Sequence, residues 1–196
     1  MERPVIDVHV LLRGGENHLW LMECLNSLQG HPINLFVEPG VEGDLNKARM
    51  DAIGKGSAEF VSFADPDDIV MPGAFQACLD AVGDHGGAYT RELLIREDGS
   101  LIGENKQPGT PCTNPMVAHH VVAVRRSIAA RMEPLIRQHK FGCWWMLCAA
   151  ADVLGGMQPT GTLGYKWRMH QNNSFVRPQN RIARKVVAEL VRGLVA

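Results

Sequence analysis

Three aspartates, Asp65, Asp67 and Asp68, stand within four positions in EFVSFADPDDIVMPGAF, residues 59–75. They follow directly on an apolar run that reads as a buried strand. Like charges this close repel one another, so the cluster needs a compensating cation. Carboxylate oxygens are the hard ligands that Mg²⁺ or Mn²⁺ prefers, above all where a diphosphate completes the shell. The same Asp-Pro-Asp-Asp run could instead serve as a turn and helix cap, for which Asp and Pro are favoured. Position bears on the choice. Ligands of open α/β sheets sit beyond the carboxyl ends of the strands, and the aspartates fall at such an end.

The elements that must hold them alternate. Ile6, Val8, Val10 and Leu12 recur at period two in a first strand over 5–12. A helix over 16–28 carries Leu21, Cys24, Leu25 and Leu28 on one side and ends at Gly30. Residues 33–38 read as a second strand, stopped by Pro39-Gly40, and Asp44 caps a helix reaching about Ile53. After the third strand (59–64), Pro72 suits the first turn of a helix striped by Phe75, Cys78, Leu79 and Val82. Such alternation implies parallel strands, right-handed crossovers and a Rossmann-like sheet. Past Gly83 the rhythm changes. Strands are expected at 88–95, 101–103 and 119–124, helices near 126–138 and 143–153, and a last amphipathic helix over 181–195.

Composition narrows the class. A chain of 196 residues suits one substantial core, and 45% hydrophobic with 21% charged residues is ordinary for a soluble globular protein. The net charge of −1 gives no global basic field, although Lys166, Arg168, Arg177, Arg181, Arg184, Lys185 and Arg192 thicken toward the end. No signal-peptide pattern and no apolar stretch of membrane-spanning length is present. Five cysteines without a C-x-x-C pair fit a reducing, cytoplasmic setting. The expected organisation is a single domain over 1–196. Its front half, about 1–83, continues without a linker into a back half of about 84–180, with a C-terminal helix over 181–196.

The span 44–79 resembles the donor-binding half of the glycosyltransferase family 2 enzymes with the GT-A fold. The residues that carry the resemblance are Ala48-Arg49-Met50, Gly54-Lys55-Gly56, the strand Phe60-Val61-Ser62-Phe63, Asp65-Pro66-Asp67-Asp68, Pro72 and Phe75. A second segment, GYKWRMHQNNSF (164–175), is similar to the family's Tyr-x-x-Arg-x-His-x-x-x-Ser. The resemblance implies an α/β, Rossmann-like GT-A domain, its mixed and mostly parallel central sheet flanked by helices. It further implies a nucleoside-diphosphate-sugar donor with Mn²⁺ or Mg²⁺ as cofactor. By the same resemblance Asp65 contacts the donor ribose or its metal, Asp67 and Asp68 bind the ion, His170 completes its protein ligands, and Arg49 lies near the base or diphosphate.

Three departures from the family pattern stand out. The first strand ends in Leu12-Arg13-Gly14-Gly15 rather than Pro-Thr-Tyr-Asn; the glycines allow close backbone approach, and Arg13 could reach donor phosphates or be an ordinary surface arginine. At the end of the second strand, where family members carry acids that read uracil, only Glu38 precedes Pro39-Gly40. The acidic pair that supplies the general base of inverting members is missing from HKFGCWWMLCAAADV (139–153), which has no acid before Asp152. Either another residue takes that role, with Glu104, Asp98 and His119 as candidates, or the anomeric configuration is retained. Retention is the narrower demand and the slightly favoured expectation. Trp144 and Trp145 occupy the place of the missing acids and could stack on a sugar or base, or pack in the core.

The function expected is metal-dependent transfer of a sugar from a nucleoside-diphosphate donor to a hydroxyl acceptor. A nucleotidyltransferase and a non-catalytic nucleotide-sugar-binding module are the alternatives. A glycan, a protein or a hydroxymethylated DNA base could be the acceptor, and Arg181, Arg184 and Lys185 would suit DNA phosphates.

Overall fold

Strand β1 (Ile6–Leu12) lies inside the sheet, and its alternation hides a second buried face. Asp7 and His9 are as inaccessible as Ile6, Val8 and Val10. The computed structural model describes residues 5–114, 116–171 and positions 187, 189, 193 and 194. After β1 come α1 (His18–Ser27), β2 (Ile33–Pro39), α2 (Leu45–Ile53), β3 (Phe60–Phe63), the short β4 (Ile69–Val70) and α3 (Ala74–Val82). The back half adds β5 (Gly87–Ile95), β6 (Leu101–Asn105), β7 (Val122–Arg125), α4 (Arg126–Ile136), α5 (Cys143–Gly155) and β8 (Met157–Arg168). Asn17 caps α1 through the amides of Leu19 and Trp20, and Asp44 caps α2 through that of Lys47.

One mixed sheet runs in the order β2-β1-β3-β7-β5-β8-β4, with β6 paired to β5. β1 is parallel to β2 and β3, as the alternation requires, and β5 is parallel to β8. β7 runs antiparallel to both β3 and β5, joining the two halves into one surface. Among the described residues no helix is long and apolar enough to cross a membrane.

Nothing in the apolar periodicity announces β8. Pro159, Gly161 and Gly164 break it, and such residues read as turn formers. Pairing absorbs them: the β5–β8 register shifts around Arg91, and a Cβ at Gly164 would fall 2.4 Å from Thr90 Oγ1. Of the helix expected over 181–195 only positions 187, 189, 193 and 194 are described. Val187 is buried in the core. Arg181, Arg184, Lys185 and Ser174 lie outside the described residues.

His9 illustrates what central burial does. Its ring stacks on Phe36 at 4.9 Å, and neither nitrogen has a hydrogen-bond partner among the described residues. Burial disfavours its cation and, despite Glu38 and Asp7 nearby, pushes its pKa down to about 4. Below the ordinary value of 6.5 the unfolded chain therefore takes up a proton that the folded one refuses. Stability should fall by on the order of 3 kcal/mol as pH drops from 6.5 toward 4, and His9 should contribute no slope above that window. Urea denaturation across this range checks it. The slope should flatten in His9→Phe, and an unaltered slope in that variant would assign it to other groups.

Candidate active site

The carboxyl ends of β1, β2 and β3 open onto a cavity of about 450 Å³. Arg13, Arg49, Asp65, Asp67, His119 and Trp145 are among its lining residues. Arg13 enters from the loop after β1, where Gly14 and Gly15 hold φ of 84° and 80° and both amide hydrogens of Arg13 and Gly14 point at the Glu16 carboxylate. Arg49, on α2, lies over the Phe63 ring and 3.7 Å from Asp65 Oδ1. Its Nε is buried and finds no hydrogen-bond acceptor among the described residues. An orphaned guanidinium donor at a cavity wall is what an anionic ligand would satisfy.

The three aspartates divide their work. Asp68 is turned inward and almost wholly buried, accepting hydrogen bonds from Tyr165 Oη at 2.9 Å and the Arg168 amide at 2.6 Å. It fastens β8 to the end of β3. Burial, opposed by His120, raises its pKa well above the carboxylate range. Asp67 faces the cavity, and its Oδ2 lies 2.9 Å from His170 Nε2. Asp65 also faces the cavity, with Oδ2 3.6 Å from His120 Nε2. Burial alone would raise its pKa, but His120 and then Arg49 hold it below the usual range. Of the metal-ligand set expected from the sequence, Asp67 and His170 thus meet, although His170 is not among the cavity-lining residues, while Asp68 is spent on backbone and phenol.

His120 was not foreseen, and it supplies much of the positive charge that the cluster required. Its Nδ1 lies 2.8 Å from Glu92 Oε2, and its ring stacks on Tyr165 with centroids 4.3 Å apart. Burial opposes its charge, but Glu92 and Asp65 outweigh burial and lift its pKa to about 10. In the groups Asp65–Asp68–His120 and Glu92–His119–His120 the ligand-type atoms lie within 4.8 Å of one another, close enough either for ion pairs through a protonated His120 or for a cation that displaces its proton. Asp65 and Asp67 both turn carboxylates to the cavity, but among the described residues no set of three ligand-type atoms within 4.8 Å of one another includes Asp67 or His170.

Glu92, on β5, was also missed. Its carboxylate is buried, accepts a hydrogen bond from Asn105, and reaches both histidines, with Oε1 3.7 Å from His119 Nδ1. Burial would raise its pKa, yet the two histidines pull it below the carboxylate range. A signal was present in the sequence: Glu92 shares the inward parity of Ala88 and Thr90, where an acid needs a partner. Arg168 is a third omission. Its guanidinium bonds the carbonyls of Asp67 (2.9 Å) and Glu97 (2.8 Å) and the Glu23 carboxylate (2.6 Å).

Other expected residues lie elsewhere. Glu38 is buried at the end of β2, 3.0 Å from Lys55 Nζ and 3.8 Å from His9, and is not among the cavity-lining residues. Glu104 pairs with Arg91 at 2.9 Å on β6, and Asp98 accepts the Ser100 amide in a turn; neither lines the cavity. His119 does. Both tryptophans border the cavity from the first turn of α5, Trp144 donating its indole N–H to the His119 carbonyl at 3.2 Å.

This architecture is the fold of the GT-A-type glycosyltransferases. Among solved structures the chain is similar to S. aureus TarS, a glycosyltransferase of that type. With TarS 1–349 in complex with UDP-GlcNAc the TM-score is 0.67 at 14% identity, covering 94% of this chain and 66% of that one. With the UDP complex it is 0.64 at 15% identity, covering 94% and 64%. TarS 1–349 without a named ligand gives 0.58 at 15% identity, and there the chain spans 60% of its neighbour's length. No family model and no curated protein matches the sequence.

Proposed function

We propose that this protein is a glycosyltransferase that binds a nucleoside-diphosphate sugar in the cavity over β1, β2 and β3 and transfers the sugar to a hydroxyl acceptor. The observation that carries the reading is the pairing of Arg49, with its orphaned Nε, and the cavity-facing Asp65 and Asp67 in one cleft. Guanidinium donors and carboxylates suit opposite needs of one ligand: Arg49 and Arg13 pair with phosphate oxygens, and the carboxylates take a divalent ion or ribose hydroxyls. The complexes of the TarS fold with UDP and UDP-GlcNAc support a donor of this class. The volume also lies in the range of small-ligand sites.

In this reading Asp67 holds the ion with His170 beside it, and Asp65 faces the ribose or the same ion. When bound, the ion supplies Lewis-acid neutralisation of the departing diphosphate. His120 keeps Asp65 ionised and in place. Trp144 and Trp145 close the acceptor side and exclude water.

Release of nucleoside diphosphate from a panel of sugar donors, with Mn²⁺ and with EDTA, tests the proposal. Release of UDP or a related diphosphate in Mn²⁺, abolished by EDTA, is the expected result. Tight UDP binding without turnover of any donor would favour a binding module, and pyrophosphate release from a nucleoside triphosphate plus sugar phosphate would favour a nucleotidyltransferase.

A further inference from the structure

A pair of adjacent histidines shares one buried carboxylate beside the cavity, and the two have unequal surroundings. His120 is clamped between Glu92 and Asp65. His119 is different: its buried Nδ1 has no hydrogen-bond partner among the described residues, the nearest carboxylate oxygen being Glu92 Oε1 at 3.7 Å, and the residue lines the cavity next to Trp145. Trp167 meets the His119 ring edge-on with centroids 4.7 Å apart, and the Trp144 indole holds the His119 carbonyl. The chain leaves the pair through Val121 at φ 43°, a left-handed conformation that costs a β-branched residue about 1–3 kcal/mol. Such strain persists only where the surroundings enforce it. Here the Val121 carbonyl is held by the Thr90 amide and the Cys78 thiol.

We infer that His119 is the general base that deprotonates the acceptor hydroxyl, and that Glu92 positions it; the inference rests on the glycosyltransferase reading above. The arrangement replaces the acid missing from 139–153. A carboxylate at Nδ1 selects the tautomer with the proton on that nitrogen and leaves the Nε2 lone pair for the cavity. The gap of 3.7 Å is the kind that tightens when substrates bind. Burial and the charge of His120 lower the His119 pKa, Glu92 opposing them, so the ring stays neutral and able to accept a proton. In the step itself the acceptor O–H proton passes to Nε2 as its oxygen bonds to the anomeric carbon. The bond from that carbon to the diphosphate oxygen breaks, and the diphosphate leaves with the electron pair. The imidazolium, steadied by Glu92, later returns its proton to solvent. A base of this kind serves attack from the face opposite the leaving group, so the anomeric configuration inverts rather than being retained.

Water can stand in for the unknown acceptor, so hydrolysis of α-linked donors (UDP-GlcNAc, UDP-glucose and GDP-mannose) provides the test. Proton NMR of the freshly released sugar should show the β anomer first. His119→Ala should lower kcat by about 10²–10³-fold. UDP affinity by calorimetry should stay within about twofold, and added imidazole should restore part of the rate, which no packing defect would allow. Glu92→Gln should lower kcat by about 10–100-fold, with little further loss in the His119→Ala background, as for residues acting as one unit. If Glu92 instead serves only His120 and Asp65, the donor KM rises and kcat holds, which overturns its positioning role. A first-formed α anomer, or an unchanged kcat in His119→Ala, overturns the base assignment while leaving the glycosyltransferase reading intact. A native protein that turns over none of these donors overturns both.

Discussion

Alanine at Asp67 or at His170 is expected to reduce sugar transfer by at least about 10²–10³-fold, the cost of removing one element that stabilises charge in the transition state. Asp67 lines the cavity and lies 2.9 Å from His170 Nε2, which under the proposed function would put both beside the departing diphosphate. The two losses should not multiply, because each removes the same ion. Far-ultraviolet circular dichroism and UDP binding without metal should be little changed in Asp67→Ala, since its side chain accepts no backbone hydrogen bond among those of the described residues. Mn²⁺ affinity, read by electron paramagnetic resonance, should fall in both variants. Transfer that survives both substitutions and ignores EDTA would remove the ion from the mechanism and leave Arg13 and Arg49 to neutralise the diphosphate.

Arg168→Met should cost about 3 kcal/mol of stability, because it takes the donor from two part-buried carbonyls, while the half-exposed Glu23 carboxylate returns to water. The side chain is nearly inaccessible and ties three separated parts of the chain together: Glu23 on α1, Asp67 after β3 and Glu97 after β5. Its guanidinium also lies over the Trp20 ring at 5.1 Å. Methionine fills most of the volume but leaves the Asp67 and Glu97 carbonyls without this donor. For a chain of this size the melting temperature should fall by roughly 10 °C. Transfer at low temperature should fall too, because the Asp67 backbone is released. A loss below about 1 kcal/mol would mean that water replaces the guanidinium at little cost, as it does for exposed ion pairs.

Local signals carried the front half of this protein. Period-two apolar runs, Asp44 at a helix start, and Gly and Pro at element ends act through sterics and hydrogen bonds within a few residues, so β1 to β3 and α1 to α3 could be read directly, whereas the two-residue β4 could not. The same locality placed Asp65, Asp67 and Asp68 at the end of β3, because ligand sites of such sheets lie where the strands stop. Sequence likewise marked Arg13, Arg49 and His119 as candidates, and all three line the cavity. It could not assign the aspartates their separate tasks. Asp68 is diverted by Tyr165 and Arg168, about a hundred residues away, and only the pairing of β4 with β8 brings them to it. β8 itself was invisible because its Pro and Gly residues are tolerated by partners on β5, not by any local preference. Glu92 and His120 lie 28 positions apart and meet only through β5 and the bend before β7. Their charges follow from desolvation and mutual attraction, quantities that do not exist until the sheet has closed around them.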